Sequence, residues 1–88
     1  MHCYCETEDS ANGPAGIIAH FDCYPDALLW AHDEIFQAAE NYGDGVSLRS
    51  FDSIQGRTLE VWDNDGFLIL RVCVRIREMV SLKELIRE

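Results

Sequence analysis

The chain has 88 residues, 48% of them hydrophobic, and a formal charge of −9 from 7 Lys+Arg against 16 Asp+Glu. That length holds one hydrophobic core and not two, and the composition is that of a globular chain rather than a disordered one. No apolar run approaches the roughly 20 residues of a membrane span, and Met1-His2-Cys3-Tyr4-Cys5-Glu6 is neither basic nor followed by an apolar stretch. No signal peptide is read, and a cytoplasmic protein is expected.

Residues 1–14 carry acids, Ser10, Asn12, Gly13 and Pro14 without an apolar period, which predicts a loose N-terminal arm. Residues 15–88 then form a single α+β domain. Ala15 to Phe21 is a short apolar run without clean alternation, the signature of a strand buried on both faces. Residues 25–42 form the helix. Pro25 suits its first turn, Asp26 its positive end and Asp22 a capping position, while Gly43 ends it. Leu28, His32, Ile35, Phe36 and Ala39, widened by Leu29, are the expected core stripe. From Val46 the period becomes two. Strands are predicted at Val46–Phe51 and Arg57–Trp62, with a turn over 52–56, and Asp63-Asn64-Asp65-Gly66 forms a hairpin turn. Leu68, Leu70, Val72, Val74 and Ile76 then point one way, and Phe67, Ile69, Arg71, Cys73 and Arg75 the other. Ser81, Leu82, Glu84, Leu85 and Ile86 read as a short closing helix with a capping box. The predicted order is β-α-β-β-β-α, one long helix on a mainly antiparallel sheet whose other face stays open.

The charge is divided unevenly along the chain. From Met1 to Asp44 there are nine acids and no Lys or Arg; from Gly45 to Glu88 seven acids balance seven bases. An acidic half of this kind repels nucleic acid and steers the protein toward basic partners, so no direct nucleic-acid binding is expected. The acids concentrate on one helix stripe, where Asp26, Trp30, Asp33, Gln37, Glu40 and Asp44 step by alternating fours and threes. An ordinary solvated face would account for Asp33 and Glu40 alone. A tryptophan among carboxylates has instead the composition of an interface anchor in an acidic rim, and these six residues are the candidate partner-binding site.

Two other constellations compete with it. His2, Cys3, Cys5, His20 and Cys23 gather borderline and soft ligands near the start of the chain, and four of them could close a zinc tetrahedron that pins the arm. Against zinc, Cys-x-Cys is not the usual knuckle spacing; the simpler reading leaves Cys3 and Cys5 unstructured and makes Cys23 and Cys73 small apolar fillers. A cysteine working with His20 or His32 would need a base within reach and a cleft. No nucleophile elbow, glycine-rich loop or carboxylate pair accompanies them. No enzyme activity, bound metal or cofactor is expected. A homodimer is compatible with either the Phe67/Ile69/Arg71/Cys73 sheet face or an edge strand such as Val46–Phe51.

In its size and acidity the whole chain resembles the small phage-encoded anti-CRISPR inhibitors, many of which are α+β proteins with one acidic face and some of which mimic nucleic-acid charge. The helix followed by Leu59-Glu60-Val61-Trp62-Asp63-Asn64-Asp65-Gly66-Phe67-Leu68-Ile69-Leu70 also resembles short bacterial β-α-β-β proteins. The first resemblance implies an inhibitor that blocks nucleic-acid binding by charge mimicry or steric occlusion. The arginines of the second half depart from a pure DNA mimic, which keeps bases off its working face. The expected function is therefore an acidic module that inhibits or regulates a larger basic partner, a nucleic-acid-handling complex. A structural or dimerisation protein and a small zinc-binding module are the alternatives.

Overall fold

The computed structural model describes residues 2–76. They form β1 (Cys3–Asp9), β2 (Gly13–Phe21), α1 (Tyr24–Tyr42), β3 (Val46–Ser53), β4 (Gly56–Asp63) and β5 (Leu68–Ile76). All strands join one five-stranded antiparallel sheet in the order β2-β1-β5-β4-β3, and α1 packs chiefly over β5 and β4. The domain is α+β, with the order β-β-α-β-β-β. The closing helix expected at 81–86 lies outside the described residues.

The largest departure from expectation is at the N-terminus. Residues 3–9 are not a loose arm but a strand inside the sheet, paired with β2 on one side and β5 on the other. Its alternation was hidden because the inward residues are Cys3 and Cys5, both fully buried, while Tyr4, Glu6 and Glu8 face the opposite way. Cysteine packs as a small hydrophobe, and this pair is core rather than unstructured. Asp9 closes the turn into β2 by accepting the Asn12 backbone N–H at 2.6 Å. With β1 inside, β2 becomes an edge strand. Most of its residues are exposed, so it is not the doubly buried strand that its apolar run suggests.

Helix α1 begins one residue before the expected start, with Pro25 in its first turn, where a missing N–H costs nothing. Its N-cap is Cys23, not Asp22, and no side chain bonds the first amides. At the far end the Gly43 N–H donates to the Ala39 carbonyl at 3.1 Å. The buried stripe is Ala27, Ala31 and Ile35, helped by Tyr24, Leu28, Ala38 and Ala39. The helix is thus rotated relative to the expected stripe, and Leu29 and Phe36 stand 65% and 53% exposed. Two alanines at a four-residue step let the helix backbone approach the sheet, which the bulkier residues would prevent. Leu59, Val61, Val72 and Val74 supply the sheet side of the core.

The two C-terminal hairpins follow the alternation closely. In the second, the Asp63 carboxylate accepts the backbone N–H groups of Asp65 and Phe67, both at 2.9 Å. The turn between β3 and β4 is tighter than expected and holds only Ile54 and Gln55 between the strands. Gly56 opens β4 at φ 151°, against β5, and a Cβ there would overlap the Val74 carbonyl oxygen. Only glycine fits that approach.

Candidate functional site

The helix and the open sheet face divide the charges between them. On the open face Arg71 lies between two strands' carboxylates, 2.7 Å from Glu60 of β4 and 2.9 Å from Glu8 of β1. Arg75 reaches Glu6 at 2.9 Å and Gln55 at 3.4 Å. Glu60 is buried and also accepts the Trp62 indole N–H at 2.7 Å, and Arg49 sits 5.3 Å from the centroid of that ring. Burial pushes the Glu60 carboxyl up, but the bonds from Trp62 and Arg71 outweigh it and hold the group below its ordinary value. On the helix side of the sheet, Arg57 pairs with Asp52 at 2.6 Å. Arg57, Arg71 and Arg75 are thus engaged by the chain's own acids, whereas Arg49 is exposed and takes part in no ion pair among the described residues.

The helix has no such compensation. It contains Asp26, Asp33, Glu34 and Glu40 and no Lys or Arg, and among the described residues none of these acids takes part in an ion pair. Asp26, Asp33, Gln37 and Glu40 are exposed on the helix, whereas Asp44, also exposed, lies beyond Gly43, which ends α1 at Tyr42, and so does not continue the stripe as expected. Glu40 stands in the last turn, at the negative end of the helix dipole, an unfavourable place for a carboxylate.

Trp30 is placed differently. It is half-buried, with its ring 6.0 Å from that of Phe21 on β2, so it braces the helix against the sheet edge and presents only part of its surface. The apolar contacts that the outward face does offer are Leu29 and Phe36. They alternate with the acids in a Leu29–Asp33–Phe36–Glu40 stripe at steps of four, three and four, facing one way on the helix. Reading these two as core concealed them. The signal that could have found them was the competing Ala27–Ala31–Ile35 stripe, which has the same period and leaves Leu29 and Phe36 outside.

The metal candidates are separated by strand alternation. His2 and His20 meet on the open face, Nε2 to Nδ1 3.2 Å, whereas Cys3 and Cys5 are buried beneath α1 and Cys23 caps the helix. Among the described residues no three His, Cys, Asp or Glu side chains come together to hold a metal ion. The Cys5 thiol points at the Ala27 carbonyl, 3.9 Å away, and burial, with smaller effects of Cys3 and Cys73, pushes its pKa up to about 11. A thiol so disposed is neither a ready nucleophile nor a ready ligand. His32 lies beside Phe36, ring centroids 6.1 Å apart, in a shallow groove between α1 and β3.

Among the described residues no helix is long and apolar enough to cross a membrane. No known protein family matches the chain, and no curated protein or solved structure is detectably similar to it.

Proposed function

We propose that this chain is a protein-binding module that inhibits or regulates a larger partner by laying the outward face of α1 into a basic groove. The observation that carries the reading is the asymmetry of compensation. Arg57, Arg71 and Arg75 are paired with acids of the same chain, while Asp26, Asp33 and Glu40 are exposed without an ion-pair partner among the described residues. Unpaired carboxylates on one stripe repel each other, and their retention beside exposed Leu29 and Phe36 gives the face the make-up of an interface, with apolar anchors and a charged rim. A groove of Lys and Arg that normally holds a phosphate backbone is the complementary surface, which makes a nucleic-acid-handling complex the partner class. The anti-CRISPR resemblance implies the same class.

Charge pairing across such an interface dominates encounter and is screened by salt. Affinity for a partner captured from host-cell lysate is expected to fall on the order of tenfold between low salt and about 0.3 M. Excess duplex DNA should compete with the module for that partner. Affinity indifferent to salt, with no competition by nucleic acid, would remove charge mimicry as the mechanism.

A further inference from the structure

The two edges of the sheet are built differently. On β2, Pro14 removes a backbone donor, and the pairing with β1 shifts register between Cys5 and Glu6 and again between Thr7 and Glu8. Irregularities of this kind guard an edge against pairing with another chain. On β3 none of these devices is present. Val46–Ser53 contains no proline or glycine and pairs with β4 without a break from Val46↔Asp63 to Ser53↔Gly56. It lies beyond the main contact of α1, which leaves Leu48 on the helix side 50% exposed, while Phe51 on the open face is 53% exposed and Ile54 at the strand's end 98%. A groove of about 170 Å³ remains between helix and strand, lined by Ile35, Phe36, Leu48 and Leu59 among others.

We infer that β3 is the interface with a second copy of this chain, joined edge to edge as an antiparallel pair into a ten-stranded sheet. Charge favours this occupant. The chain carries −9 overall, so most surfaces of two copies repel, but β3 bears one base, Arg49, and one acid, Asp52. A two-fold axis perpendicular to the sheet pairs residues of the same face, which restricts the register. Centred on Arg49, it would set two guanidinium groups against each other. Centred on Ser50, it would set Leu48 against Asp52 of the second copy. Centred on Phe51, the two phenyl rings meet, Arg49 faces Ser53, Ser50 faces Asp52, and Leu48 comes beside Ile54 of the second copy. That register alone covers all three exposed apolar residues and opposes no like charges. Both α1 helices then lie on the same side of the joined sheet, which would present two acidic faces together.

Sedimentation of the full chain at tens of micromolar should give twice the 10.0 kDa of one chain. Phe51→Lys, which places two ammonium groups at the axis, should restore the single-chain mass with an unchanged circular dichroism spectrum. Ile18→Lys on the guarded edge should leave the dimer intact. On oxidation, Phe51→Cys should yield a covalent dimer, since directly opposed residues lie within disulfide reach; Arg49→Cys, with the same native cysteines, should not. A wild-type chain that sediments as a monomer, or a dimer that survives Phe51→Lys, overturns the inference. Equal cross-linking of the two cysteine variants overturns the register.

Discussion

Arg71→Ala is expected to lower the thermal midpoint by roughly 10 °C, because it removes the one cation hydrogen-bonded to the buried Glu60 carboxylate among the described residues, leaving only the more distant Arg49. Glu60 is only 5% exposed and would keep the Trp62 indole N–H, but one neutral donor does not replace a charge-assisted bond at 2.7 Å. Removing one partner of a buried pair costs about 3–5 kcal/mol. Arg71 retains some contact with water, its side chain being 29% exposed, which reduces this to about 2–3 kcal/mol. Each kcal/mol moves the midpoint of a domain this size by about 4–8 °C. Glu8, the second partner, is more exposed and can rehydrate.

The variant also changes the pH dependence. In the wild type Glu60 is held below its ordinary value, so its contribution is present above the unfolded-state pKa of about 4.5 and lost as pH falls through the folded value. In Arg71→Ala burial prevails and the pKa rises. A raised carboxyl destabilises the fold at neutral pH and stops doing so once protonated, so the difference between the two proteins should narrow from pH 7 to pH 4. Denaturant midpoints across that range check it. A constant difference would mean that Arg71 acts through packing alone.

Asp33→Lys combined with Glu40→Lys is expected to weaken partner binding by a factor of roughly 100 or more while leaving the protein more stable. Both acids lie on the outward stripe, where reversal turns attraction to a basic groove into repulsion. In the last turn of α1, a lysine at position 40 also meets the negative end of the helix, an effect worth a few tenths of a kcal/mol. The thermal midpoint should therefore rise by a few degrees. Loss of binding with a gain in stability separates a working surface from a structural one. Arg71→Ala, assayed well below its midpoint, should bind with wild-type affinity. The opposite pattern, with the double variant binding and Arg71→Ala not, would assign the interface to the open sheet face.

Where hydrophobic alternation was strong and its residues large, the chain could be read directly. Phe67 to Ile76 alternates cleanly and became β5 with Leu68, Val72 and Val74 buried as expected. The Asp63–Gly66 turn carries its own chemistry and sits where Asn, Asp and Gly predict. The exposure of Asp33 and Glu40 was legible, since the spacing puts both on one side of a helix and unpaired carboxylates stay in water. β1 was not legible, because its inward residues are two cysteines and its outward residues are carboxylates that look solvated until Arg71 and Arg75 arrive from the far end of the chain. Those ion pairs span more than sixty residues of sequence, from Glu8 to Arg71 and from Glu6 to Arg75. The rotation of α1 was missed for a related reason. Side-chain size favoured the Leu28–Phe36 side, whereas close approach to a flat sheet favoured the alanines.

The most direct test is a cross-saturation measurement by NMR on the chain bound to its captured partner, reading which side chains lie against the partner's protons. Transfer is expected to the Leu29 methyls and the Phe36 ring on the outward face of α1, and none to Thr58, Ile69 or Cys73 on the open sheet face. Transfer centred on Ile69 and Cys73, with Leu29 and Phe36 silent, would contradict a working surface on the outward face of α1.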